Sequence, residues 1–351
     1  MTNRMKLSVS AAALSLVLAG GVSSAQAADV VAEPGCRLNG SVMAGYMYDW
    51  QNVSNDIGIT GEQIENKDVN FDGKPEWETP FGEGAALFTC GGLNIQGDFA
   101  CYGHEYDGPD DIEIDQTNKH GGGAIFYRDP DSWAGGISAS RISQKDVFDN
   151  KDPGIWRVGV FGEVYLGDAF TLGGSAHYYN TDFSNEDELV SKDEDGFELA
   201  AWGRFYPTPN FSILVRGDLL LPNADLHVDQ RLVDLAGINA HWDVDDGWAV
   251  TGEAEYLVWD SGLSIFGGAR YAERSWNFDI ETPGPDFKLD SDVEDFQVYA
   301  GLKFYFDFGR ERTLVEDHRT GAFDNTSVFH EKLPELMTST EAGLIESGGG
   351  L

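Results

Sequence analysis

The sequence predicts an all-β protein: a transmembrane antiparallel β-barrel of twelve strands, with short periplasmic turns and long acidic extracellular loops. Three observations carry this. From residue 37 onward, segments of about ten residues alternate apolar side chains with polar or small ones, the period of a strand with two unlike faces. Aromatics stand at segment ends, at Tyr48, Trp50, Tyr106, Tyr127, Trp133, Trp248, Trp259 and Trp276, as in the girdles of a membrane barrel. Connections alternate between tight and long. Gly91-Gly92, Asp129 to Ser132, Gly167-Asp168, Pro207 to Asn210 and Trp259 to Gly262 are tight, whereas 51–81, 105–120, 143–154, 181–195 and 279–294 are long.

Composition narrows the function classes. A net charge of −37 disfavours nucleic acid, whose phosphates select basic surfaces. An aromatic content of 12% argues against a disordered acidic chain. Three Cys are too few for a disulfide-dense fold or a tetrahedral zinc site of the usual kind, so no metal or cofactor is expected.

The chain begins with Arg4 and Lys6, then an uncharged apolar stretch from Leu7 to Gly21, then Ala25-Gln26-Ala27. This is the pattern of a secretory signal peptide over 1–27, cleaved after Ala27. No later stretch reaches the roughly 18 apolar residues of a spanning helix, so a membrane location requires strands. Residues 28–36 form a short periplasmic lead-in, 37–309 the barrel, and 310–351 a largely irregular periplasmic tail.

The candidate strands are 37–49, 82–90, 93–104, 121–128, 133–142, 155–166, 169–180, 197–206, 210–220, 247–258, 263–276 and 295–308. Segment 155–166 shows the logic. Trp156, Val158, Val160, Val164 and Leu166 share one face, and Arg157, Gly159, Phe161, Glu163 and Tyr165 the other. With both barrel ends in the periplasm the strand number is even. A further candidate, 234–244, breaks the alternation and is placed within a long extracellular loop, 221–246. The alternative is fourteen strands, with a hairpin inside that loop.

If the apolar face meets lipid, the other lines the lumen. That face carries Arg128, Arg157, Arg204, Arg216, Arg270, Arg274 and Lys303, with Glu83, Asp98, Glu163, Glu198, Asp218, Glu253, Glu255 and Asp307. A midplane Arg or Lys against lipid would cost roughly 2–4 kcal/mol, so these charges belong inside. Either they sit on separate walls of an open channel and orient polar solutes, or they pair across the lumen and close it. Twelve strands favour the channel, since eight already fill with side chains and sixteen leave an open pore.

Acidic runs at 105–120 (Glu105, Asp107, Asp110, Asp111, Glu113, Asp115) and 182–195 read first as solvated surface. They are also candidate partners for divalent cations and for lipopolysaccharide. The function expected is a channel for small polar or ionic solutes, mildly cation-preferring. The alternatives are a closed structural or adhesin-type barrel acting through its loops and, last, an enzyme. No G-x-S-x-G or H-E-x-x-H occurs, and the histidines are scattered, so no enzyme activity is expected. His177 reads as a polar lumen contact.

Cys36 and Cys90 fall at the same rim on the same face of antiparallel neighbours. They are expected to form a disulfide, leaving Cys101 free.

Tyr299, Gly301, Phe304 and Phe306 follow the spacing polar-x-Gly-x-x-aromatic-x-aromatic. This resembles the carboxy-terminal β-signal of bacterial outer-membrane barrels, and 121–141 and 162–174 are similar to hairpins of porin-like alphaproteobacterial barrels. The resemblance implies an outer-membrane location in a Gram-negative cell and engagement of the barrel-assembly machinery by those four residues. One departure is plain: in typical members that signal ends the chain, and here residues 307–351 follow it.

Overall fold

The computed structural model describes residues 36–61, 64–108, 113–145, 154–182, 190–228, 239–258, 262–307, 313–334 and 339–340. The signal segment, Trp259, the acidic residues Asp110 and Asp111 and residues 183–189 of the run 182–195 lie outside them. Fourteen strands form one sheet: β1 Cys36–Gly61, β2 Ile64–Gly73, β3 Glu76–Cys90, β4 Leu93–Asp107, β5 Glu113–Asp129, β6 Trp133–Lys145 and β7 Gly154–Leu166, then β8 Phe170–Asp182, β9 Val190–Thr208, β10 Phe211–Val228, β11 Asn239–Val244, β12 Gly247–Leu257, β13 Leu263–Glu281 and β14 Asp286–Asp307. Twelve of them, all but β2 and β11, pair with sequence neighbours around a ring that β1 and β14 close, antiparallel throughout. β2 pairs only with the far half of β1, and β11 only with the far end of β13.

The strand period decides which face looks where. On β7, Trp156, Val158, Val160, Val164 and Leu166 are exposed on the outside, while Arg157, Phe161 and Tyr165 are buried inside. The same inversion of an ordinary soluble protein recurs on every ring strand. Two aromatic belts edge the apolar band. Near the tight turns Tyr127 meets Trp133 at 5.6 Å and Phe170 meets Phe205 at 4.7 Å. Toward the long hairpins Trp50 meets Phe296 at 5.9 Å, Tyr178 meets Phe197 at 5.6 Å and Trp248 meets Tyr271 at 5.4 Å. Tyr106 and Trp276, expected in the belts, are buried on the inner face instead. Both stand on strand extensions above the band, where an aromatic has no lipid to meet.

Tight turns are set by chain chemistry. Cys90 pairs with Leu93 across Gly91-Gly92, and Gly91 takes φ 61°, a conformation in which a side chain would be strained. Gly167 does the same at φ 56° between Leu166 and Phe170.

Two expectations are corrected. The long connections are largely strand. β1 and β14 stay paired as far as Thr60 and Asp286, and β4 and β5 as far as Asp107 and Glu113. Beyond the membrane both faces of a strand can be polar, so the alternation fades while the hydrogen-bond ladder continues. The tail is not a periplasmic appendage. Helix α1, Leu314–Thr320, a π-helical turn, Val328–Lys332, and the residues between them run inside the barrel, where Leu314, Val328, Phe329 and Leu333 are buried.

Candidate functional site: the occupied lumen

The inner wall is polar, and the tail meets it with backbone and side chains from the tight-turn rim toward the long hairpins. At the tight-turn rim the Leu314 N–H donates to the Pro209 carbonyl at 2.7 Å, and Arg319 donates to the carbonyls of Gly167 and Phe170. Next, Asn39 donates to the Thr320 carbonyl and Arg128 to that of Gly321, each at 2.7 Å. Gln96 grips both backbone groups of Phe323 at 2.7 Å, and Phe161 stacks on the Phe323 ring at 3.8 Å. Higher still, Arg157 donates to the Asn325 carbonyl at 2.8 Å, Gln144 to that of His330 at 3.0 Å and Gln297 to that of Lys332 at 3.0 Å. Arg274 donates to the Pro334 carbonyl at 2.7 Å. At the top, Gln51 reaches Ser339 Oγ at 3.0 Å, while Trp276 and Ser291 reach Thr340 Oγ1 at 3.0 and 2.8 Å.

Local sequence shapes this thread. Thr313 caps α1 by accepting from the Glu316 N–H at 3.1 Å, and Ser327 caps the π-helical turn by accepting from that of His330 at 3.1 Å. Thr313-x-x-Glu316 is the spacing of a capping box and was the one readable sign that the tail begins as a helix. The rest of its fit to the wall has no sequence signature, because scattered side-chain amides and guanidiniums accept almost any backbone.

The wall charges pair rather than separate. Arg157 binds Glu198 at 2.6 Å, Arg274 binds Asp295 at 2.9 Å and Arg216 binds Asp218 at 2.7 Å. Arg204 lies 3.6 Å from Glu255, which also meets His318 of α1 at 2.9 Å. Arg270 donates to Gln297 at 2.6 Å and to Thr251 at 3.1 Å. Tail charges join in: Asp324 meets Arg216 at 3.3 Å, and Lys332 lies between Asp324 at 3.6 Å and Glu83 at 3.8 Å. Glu198 also accepts from Ser327. His120 bridges Asp98 at 2.5 Å and Glu331 at 2.9 Å. Glu163 accepts from Tyr165 and Trp202, Glu253 accepts from Tyr299, and the Lys303 ammonium sits 4.7 Å from the centre of the Tyr305 ring. Two buried opposite charges with hydrogen bonds to spare compensate their desolvation, and such pairs hold the tail in one register.

A cavity of about 110 Å³ survives toward the tight-turn rim among Arg128, Glu163, Trp202, Lys303 and Asp324. Beside His177, whose Nε2 meets Ser138 Oγ at 2.8 Å, about 10 Å³ is free, the space of a single water. Among the described residues no cluster of His, Cys, Asp and Glu is arranged to hold a metal ion. Cys36 stands opposite Cys90 in the β1–β3 ladder and is disulfide-bonded to it; Cys101 is a free, exposed thiol.

No protein-family model matches the chain, and no curated protein matches it. Among solved structures it is similar to an outer membrane channel from Pseudomonas putida F1, at 10% identity and a TM-score of 0.46 over 78% of this chain and 97% of that one. A FadL homologue from Pseudomonas aeruginosa gives 8% identity and 0.40 over 76% and 90%. The outer membrane protease OmpT from Escherichia coli gives 9% and 0.35 over 77% and 97%.

Proposed function

We propose that the protein is an outer-membrane channel for small polar or ionic solutes, held closed by its own C-terminal segment. The observation that carries this is the tail of 313–334, with Ser339 and Thr340 beyond it, bound inside a lumen whose wall is charged. A barrel built only to be solid has no need of inward Arg157, Arg216 and Arg274, since apolar side chains of like volume fill space with less desolvation. Closure by a separable segment leaves a polar passage behind it. The apolar outer band between two aromatic belts supports the membrane location, and the short turns support a periplasmic rim.

Single-channel recording in planar bilayers tests the reading. The full chain is expected to be silent or to open briefly, and a chain ending at Gly309 to conduct steadily. A truncated barrel that inserts and still carries no current would reject the channel. It would leave the second reading, a closed barrel acting through its protruding sheet, which the dense pairing of tail and wall favours.

A further inference from the structure

The tail enters the barrel at one face of the membrane and has crossed it by Thr340. At the entry, Leu314 and Arg319 hold carbonyls of the tight turns at Pro209, Gly167 and Phe170. At the far end, the partners of Thr340 are Trp276 and Ser291. The upper aromatic belt passes through Tyr271 on β13 and Phe296 on β14, below both of them. Beyond that belt the outer face turns acidic at Glu273, Asp292 and Glu294, which excludes lipid. From Asp307 to Ser291, at about 3.4 Å per residue and a tilt near 40°, the strand climbs roughly 40 Å, against an apolar band about 25 Å tall.

The order of contacts leaves one direction for the chain. Thr320, Gly321 and Phe323 are bound close to the tight turns, by Asn39, Arg128 and Gln96, whereas Asn325, His330, Lys332 and Pro334 are bound far along the strands, by Arg157, Gln144, Gln297 and Arg274. Below Thr340 the lumen holds the described part of this same tail, with a cavity of about 110 Å³ near the opposite rim.

We infer that the barrel carries its own C-terminal chain across the membrane, from the rim where β1 begins to Thr340 on the side of the long hairpins. This crossing goes beyond the channel reading and stands independently of it, since it requires only that the thread be in place. The barrel then acts as a stationary export conduit for one covalently attached segment, with β14 as its anchor.

An epitope fused after Leu351 of the full chain tests this in intact Gram-negative cells. Two reporters in a Cys101→Ser background fix the sides. Gly284→Cys lies in the exposed connection between β13 and β14, and Asp168→Cys in a tight turn where the side chain is fully exposed. A membrane-impermeant maleimide is expected to label Gly284→Cys in intact cells and Asp168→Cys only after the outer membrane is permeabilised. Antibody against the epitope is expected to follow Gly284→Cys. An epitope that becomes accessible only together with Asp168→Cys overturns the inference. Where the fusion lowers insertion, protease added to intact cells bearing the untagged protein gives the same answer by mass spectrometry. Loss of peptides beyond Thr340, with 313–334 retained, supports export, and their survival until permeabilisation overturns it.

Discussion

Arg157 on β7 and Asn325 in the tail are joined by a 2.8 Å hydrogen bond from guanidinium to carbonyl, while the same guanidinium holds Glu198 at 2.6 Å. One side chain thus ties wall to wall and wall to tail.

Arg157→Ala is expected to lower stability by about 3–5 kcal/mol, because it leaves Glu198 buried without its partner. Adding Glu198→Gln is expected to recover part of the loss by removing that charge. The temperature at which the folded band disappears in unboiled gel electrophoresis reads both. A single variant as heat-resistant as the parent would show that the pair contributes nothing.

The face assignment predicts asymmetric tolerance of charge. Val160→Arg and Leu302→Arg place a guanidinium against lipid at a cost of roughly 2–4 kcal/mol and are expected to reduce membrane assembly. Tyr299→Arg points inward toward Glu253 and is expected to assemble better. Gly159, though also inward, is a poor control, since a Cβ there would lie 2.3 Å from the Ala176 carbonyl oxygen. Equal assembly of outward and inward variants, measured by outer-membrane fractionation, would contradict the register.

Reduction is expected to weaken the barrel. The Cys36–Cys90 bond closes a loop of sequence separation 54, and losing such a native bridge typically costs about 2–5 kcal/mol. Unreduced peptide mapping is expected to show that linked pair, with Cys101 open to alkylation. A linked peptide containing Cys101 instead would refute the strand pairing.

With the tail removed, the exposed wall and acidic rim are expected to favour cations moderately at low salt, fading as the screening length shrinks from about 10 Å at 0.1 M. A reversal potential of anion sign in a salt gradient would rule this out.

Above the membrane, burial and then the neighbouring Asp290, Asp245, Asp56 and Glu294 raise the Asp292 carboxyl above its ordinary range. The folded sheet therefore binds its proton more readily than the unfolded chain. Stability contributed by protonation is present below the ordinary carboxylate value near 4 and is lost as pH rises through the raised one. Hydrogen-exchange protection in the β13–β14 hairpin, the observed rate divided into the intrinsic rate at each pH, is expected to be higher at about pH 4.5 than at neutral pH, and Asp292→Asn to narrow the difference. Equal protection at both values in the parent protein would dismiss the effect.

The barrel was legible in the sequence because lipid demands an unbroken apolar face. Each segment such as 155–166 therefore carries its own orientation, and parity settles the strand count. The inward positions of Arg157, Glu198 and Arg274 followed from the same period. Their partners did not, because whether charges face each other depends on strand stagger and on what fills the space between them. The tail was misread for a related reason. Its few apolar residues, Leu314, Phe323, Val328, Phe329 and Leu333, are too sparse for a core of their own, and the polar surface that receives them belongs to strands far away in sequence.

The ring closes between β1 and β14, and the tail springs from the end of β14. A loop of Phe323 stacked on Phe161 and a capped helix locked under Pro209 cannot be fed through a finished hoop one residue at a time without breaking each of these contacts in turn. A tail laid against the wall before the β1–β14 seam forms meets all of these partners without that passage, which ties the register of the thread to the pair that closes the ring.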